Sequence, residues 1–123
     1  MQFQQDTPLG DYVIEAYETH YITINKTHYY QSVLIAPNQL IPNWEPNSID
    51  ALQDHHWQPV IDAAPSILIL GTGAQSTIVH PQKLKKLYEA QIGVEAMPTD
   101  AACRTYMALL AEGRDAMAAI IID

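Results

Sequence analysis

One cysteine, one phenylalanine and six lysines and arginines are all that this 123-residue chain holds of those types. Each shortage closes a class of function. A lone cysteine, Cys103, cannot build an internal disulfide framework and predicts a reducing compartment, with the cytoplasm as the expected location. Six bases against fourteen acidic residues leave a formal charge of -8. The imbalance is concentrated before Ala63, where Asp6, Asp11, Glu15, Glu18, Glu45, Asp50, Asp54 and Asp62 face the single base Lys26. That half repels nucleic acid, and the remaining bases (Lys83, Lys85, Lys86, Arg104 and Arg114) are too few for a phosphate-tracking stripe. The first twenty residues contain no Lys or Arg, and no apolar run reaches the length of a signal peptide or membrane helix. No secretory, mitochondrial or membrane address is expected.

What remains is a globular composition, 48% apolar and 16% charged. This size and balance predict one domain over residues 1–123, with 1–11 as a flexible N-terminal segment. From Asp11 to Trp44 short runs rich in Tyr, Ile and Val carry strand patterning and predict a β-meander. YITINKTHYY predicts a hairpin with Asn25-Lys26 at its tip and Ile22 beside Tyr29, because Asn tolerates the left-handed backbone of such tips. SVLIAPNQLIP predicts a strand, a turn at Pro37-Asn38 and a short strand before Pro42. Short helical pieces, interrupted near Pro59, are expected around Trp57, Val60 and Ile61. Beyond Pro65 strand and helix alternate: Ile67–Leu70, a helix opened by Pro81 and closed by Gly93, VEAM at 94–97, the helix AACRTYMALLAE stopped by Gly113, and a last strand within 116–122. That alternation predicts an α/β sheet with crossover helices.

ILILGTGAQ at 67–75 is the one stretch that evokes a nucleotide fingerprint. A dinucleotide turn needs three glycines spaced G-x-G-x-x-G and a helix starting at the turn, so that amides and helix dipole meet the pyrophosphate. Here Ser76 takes the third position, and Pro81 starts the helix eight residues past Gly73. No Gly-Lys-Ser/Thr follows, which excludes a P-loop. No cofactor is expected. His20, His28, His55, His56 and His80 lack any spacing that presents two metal ligands together, and adjacent His55 and His56 would diverge by about 100° on a helix. No metal is expected either. Met107, Leu109, Leu110 and Met117 read as core rather than as a binding stripe.

Two features leave a ligand site open. Cys103 lies near a helix start, where amides and dipole favour thiolate; against this, free cysteine is also a common buried filler, and no base is paired with it. Arg104 suits carboxylate or phosphate recognition, or else pairs with a local acid, while Arg114 can neutralise helix-end carbonyls. Because open α/β sheets bind ligands beyond the carboxyl ends of their strands, the loop Gly71–Thr77 and the helix start Thr99–Arg104 define a candidate cleft holding Gly71, Thr72, Gly73, Gln75, Cys103 and Arg104.

ILILGTGAQ, IGVEAM and TDAACRTYMALLAEGR, in that order and spacing, resemble the Mth-domain family, small proteins of largely unknown function that include a mitochondrial complex I assembly factor and an adipogenesis-associated protein. The resemblance implies a three-layer α/β fold: a central mixed sheet, flanking helices and an N-terminal β-meander. Gly71, Thr72, Gly73, Gly93, Glu95, Ala102, Cys103, Tyr106, Glu112, Gly113 and Arg114 match the family pattern. Pro98 and Asp100 depart from it, as does Asp115, which replaces an Arg of many bacterial relatives and weakens anion binding there. The family supplies no established catalytic residue. The resemblance therefore implies a non-enzymatic protein-binding or assembly-accessory module, with an unidentified protein partner; a small-ligand-binding protein or enzyme using the cleft above is the alternative. Oligomeric state is left open by the sequence.

Overall fold

The structure, a computed structural model, describes residues 10–123; of the expected flexible segment, residues 1–9 lie outside the described residues. Gly10 packs against Pro37, and the Asp11 amide donates to the Pro37 carbonyl at 2.6 Å. The chain then forms β1 (Ile14–Glu18), β2 (Tyr21–Ile24), β3 (Thr27–Tyr29), β4 (Val33–Ala36) and β5 (Gln39–Ile41). A 3-10 turn (Asp54–Trp57) and helix α1 (Gln58–Ala63) lead to β6 (Ile67–Gly71), α2 (Pro81–Glu89), β7 (Gly93–Met97), α3 (Thr99–Ala111) and β8 (Ala116–Ile120).

The fold is α/β, and the five N-terminal strands divide between two sheets. β1, β2 and β3 make a small antiparallel sheet; β4 and β5 join the main sheet, whose order is β5-β4-β8-β6-β7. β6, β7 and β8 are parallel, and β4 runs antiparallel to β8, so the main sheet is mixed. The division follows from burial. All four residues of β4 are buried, as a central strand covered on both faces requires, whereas β1 and β3 are mostly exposed and only β2, between them, is buried over Ile22–Ile24.

The expected hairpin forms with Ile22 opposite Tyr29. Its tip takes left-handed backbone at both Asn25 (φ 51°) and Lys26 (φ 69°). The Asn25 side chain also receives the Val13 amide and donates to the Asp11 carbonyl, so the tip anchors the incoming chain.

Alternation along β8 divides the core. Met117, Ala119 and Ile121 face the side covered by the 3-10 turn, α1 and α2, where Trp44, Trp57, Leu68, Leu70, Leu84 and Leu87 pack. Ala116, Ala118, Ile120 and Ile122 face α3 and the small sheet, with Ile22, Ile24, Ile69 and Tyr106. α3 presents Ala102, Cys103, Tyr106 and Leu110 to this side at helical spacing. Met107 and Leu109 pack against the same cluster and Met117 against the other, so the methionine stripe is core.

Three boundaries differ from the sequence reading. Pro59 does not interrupt a helix but occupies the first turn of α1, where its missing N–H costs nothing. α2 ends at Glu89, and the left-handed residue after it is Gln91 (φ 60°), leaving Gly93 to start β7. α3 begins at Thr99, two residues earlier than AACRTYMALLAE suggested. Gly113 (φ 77°) does end it, with its amide on the Leu110 carbonyl and the Arg114 amide on the Leu109 carbonyl.

Candidate functional site

The glycine turn and the start of α3 are adjacent, as the sequence suggested, but they are joined directly. Thr99, fully buried, receives the Gly73 amide on its Oγ1 at 2.8 Å and donates the same hydroxyl to the Ile121 carbonyl at 2.9 Å. The Thr99 amide returns a bond to the Gly73 carbonyl, and the Thr72 amide bonds the Met97 carbonyl. The Ala74 amide donates to Asp123 Oδ2 at 3.1 Å. Three successive amides of the turn, those of Thr72, Gly73 and Ala74, are thus engaged by protein groups and are not free to cradle a phosphate.

The glycines serve close approach. A Cβ on Gly71 would lie 2.9 Å from Thr99 Oγ1 and 3.2 Å from the Ala102 Cβ. Gly73 has φ 105°, and a Cβ there would meet Asp123 Oδ2 at 2.6 Å.

The six candidate residues consequently do not line one cleft. Gly71, Thr72 and Gly73 are buried in the joint, while Gln75 is exposed and uses its carbonyl to accept from the Thr72 hydroxyl. Thr72 borders a shallow depression shared with Asp50, Thr77 and Asp123. Cys103 and Arg104 instead border a separate cleft of about 270 Å³ between β1 and α3, with Tyr17, Asp100 and Met107. Cys103 sits in the second turn of α3, not at its tip, and is 5% exposed. Burial, reinforced by Asp100 and only partly opposed by Arg104, pushes its thiol up to about 12, so it is protonated and poorly nucleophilic. Arg104 is exposed and lies 3.7 Å from Asp100 one turn earlier, the local pairing weighed against an anion site. The Tyr17 hydroxyl above this cleft is buried without a hydrogen-bond partner among the described residues, and its pKa is raised by burial and then by Asp123, Cys103 and Asp100.

The histidines hold a grouping that their spacing concealed. His55 and His56 do not diverge: in the 3-10 turn their ring centroids lie 4.2 Å apart, and both Nε2 atoms face Glu45 Oε1, at 3.6 and 2.5 Å. The three ligand atoms lie within 4.8 Å of one another, close enough to suggest a metal centre. The proton positions favour another reading. Nδ1 of the buried His56 accepts the Gln53 amide at 2.9 Å, so the neutral ring carries its proton on Nε2 and donates it to Glu45. A metal on Nε2 would need the opposite tautomer, which would set two N–H groups against each other. This is a histidine–carboxylate pair that fixes Glu45. The hydrogen bond from His56 holds the Glu45 carboxyl below its usual range. Trp44 braces the pair, with its ring edge-on to His56 and its Nε1 on the His56 carbonyl.

No helix among the described residues is long and apolar enough to cross a membrane.

The family described as protein of unknown function (DUF498/DUF598) matches residues 14–121. NADH dehydrogenase [ubiquinone] 1 alpha subcomplex assembly factor 3 of Mus musculus is 28% identical over 120 residues, 96% of this chain and 64% of that protein. The chain thus spans just under two thirds of the length of such relatives. The 13 kDa major membrane protein of Francisella tularensis is 21% identical over 98% of this chain and 99% of that one. A Bordetella parapertussis crystal structure superposes with TM-score 0.84 at 31% identity, covering 93% of this chain and 98% of its own. A Bordetella pertussis Mth938-like domain solved in solution superposes with TM-score 0.81 at 26% identity, covering 100% and 93%. A family match spanning nearly every described residue, on a fold shared with solved Mth938-like domains, establishes that this chain belongs to the DUF498/DUF598 family.

Proposed function

We propose that this chain is a non-enzymatic, cytoplasmic protein-binding module that assists the assembly of a larger complex. The observation that carries the reading is its likeness, along 96% of its length, to relatives named as complex I assembly factors. The geometry is consistent with it. The glycine turn is tied to Thr99, Met97 and Asp123, Cys103 is protonated, and the side chains raised as ligand-site candidates lie apart. Among the described residues three large apolar or aromatic side chains stand exposed, Tyr30, Ile78 and Tyr88, of which Ile78 is 87% exposed. Residues of this kind anchor protein interfaces. The lone unpaired cysteine supports the reducing compartment.

Cross-linked affinity capture of the tagged chain, in parallel with an Ile78→Asp/Tyr88→Asp variant, tests this. The expected outcome is a defined set of proteins retained by the parent and lost by the variant. Identical recoveries from both, or none above an untagged control, overturn the reading. The alternative, a small-ligand site, rests on the Cys103–Arg104 cleft; a thermal-shift screen with nucleotides, acyl carriers and small acids that moves the melting point would favour it.

A further inference from the structure

A second cleft, of about 340 Å³, opens beyond the carboxyl end of the central strand β8. Four segments distant in sequence build it: His20 from the β1–β2 turn, Tyr30 and Ser32 from the link into β4, Trp44 and Glu45 from the loop after β5, and Asp123 in the segment that follows β8. Open α/β sheets place their ligands at such strand ends. Two of its loops hold left-handed backbone at non-glycine residues, His20 (φ 79°) and Asn43 (φ 57°).

The lining is rich in acceptors: two carboxylate residues border it, Glu45 and Asp123, the second with its Oδ2 already accepting the Ala74 amide, and no Lys or Arg does. Glu45 receives the His56 proton on Oε1, while its Oε2 has no partner among the described residues. Because His56 is neutral in that arrangement, the bond fixes the Glu45 carboxylate without cancelling its charge. His20 adds a further acceptor. Its Nδ1 lies 2.9 Å from the main-chain oxygen of Asp123, which has no proton to give, so Nδ1 is the donor, and in the neutral ring Nε2 is left as an acceptor. Ser32 is 1% exposed and its Oγ accepts the Ile122 amide, which ties the cleft floor to the end of β8. Tyr30 contributes an exposed aromatic ring, a surface that attracts cations through its π face.

We propose that this cleft binds an organic cation, an ammonium or guanidinium group presented by a small molecule or by the basic side chain of another protein. An anion is disfavoured by the two carboxylates. A bare metal ion would find Glu45 Oε1 already engaged and no second ligand atom of His20 or Asp123 grouped with it. The inference does not depend on the assembly reading and can fail or stand separately.

Amide chemical shifts of the whole chain, followed during titration with n-butylammonium, N-ethylguanidinium and, as the anionic control, butyrate, supply the test. Expected are saturable shifts at His20, Ser32, Glu45 and Asp123 for the two cations and none for butyrate. Glu45→Gln, which can still accept from His56, and Asp123→Asn should each weaken binding by about fivefold, the size of one partly screened charge interaction. A blocked Gly-Lys-Gly peptide separates the two sources: binding at least as tight as the free amine assigns the cleft to a partner's side chain, and exclusion of the peptide assigns it to a small amine. Shifts that do not saturate, that scatter over the surface, or that persist unchanged in both variants overturn the proposal.

Discussion

Replacing Thr99 by Val removes one oxygen and almost no volume, and it tests whether this residue joins the glycine turn to the sheet. In the native chain the hydroxyl accepts the Gly73 amide and donates to the Ile121 carbonyl, both inside the protein. Thr99 itself is 0% exposed, so water cannot replace the oxygen without opening the joint. A buried donor or acceptor left without its partner costs about 1–3 kcal/mol, and two such groups give about 2–4 kcal/mol once relaxation is allowed. For a chain of this length each kcal/mol lowers the melting temperature by about 4 °C, so the variant should melt about 8–16 °C below the parent. Urea unfolding followed through Trp44 and Trp57 fluorescence gives the free energy directly, with an unchanged denaturant slope showing that the same surface unfolds. Thr99→Ser keeps the hydroxyl and loses a methyl, and it should cost about 1 kcal/mol. A Val variant no less stable than the Ser variant refutes the argument, because the hydroxyl would then be dispensable.

Gly71→Ala adds a methyl 2.9 Å from Thr99 Oγ1 and 3.1 Å from its Cα, so overpacking should destabilise the chain by about 1–3 kcal/mol in the same urea assay; an unchanged midpoint would mean that α3 moves freely away from the turn. Cys103 should react with iodoacetamide near pH 8 only through unfolding, with a rate that climbs steeply with urea; rapid labelling of the native chain contradicts its burial. Its folded-state pKa of about 12 lies above the ordinary 9.0, so the stability it contributes is whole below pH 9 and is lost as pH rises toward 12. The slope reaches about 1.4 kcal/mol per pH unit, and Cys103→Ala should flatten it; the buried Tyr106 phenol, also raised, adds a parallel loss at higher pH that this variant leaves in place.

The fold was legible wherever a local rule and the tertiary structure agree. The Asn25-Lys26 hairpin, the Pro81 helix start and the Gly113 stop each follow from what one or two residues do to the backbone, and each is where the sequence places it. The division of the meander between two sheets was not legible. β4 and β3 carry similar strand propensity, and only the pairing of Val33 with Ile120 and of Leu34 with Ala119, nearly ninety residues away, assigns β4 to the main sheet. Pro59 and Gly93 misled for a related reason: each residue permits more than one role, and its neighbours decide which.

The functional reading was harder because the residues with the strongest sequence signatures are the ones the fold uses most fully. GTG resembles a phosphate loop, yet the amides of Thr72, Gly73 and the following Ala74 end on Met97, Thr99 and Asp123, and the missing Cβ atoms make room for Thr99, Ala102 and that carboxylate. Cys103 stands near a helix start, yet the two extra residues at the front of α3 carry it out of the first turn into the second and into the core. Apart from the buried Tyr106 hydroxyl on α3, the groups that keep free hydrogen-bonding capacity come from positions with no motif: Glu45 in an irregular loop, His20 in a tight turn, Tyr17 on an edge strand. A motif read from sequence assumes that its polar groups are idle until a ligand arrives. In a chain of 123 residues, where every buried amide must be paired, that assumption fails first at the conspicuous turns, and the search for a ligand belongs at the junctions between segments.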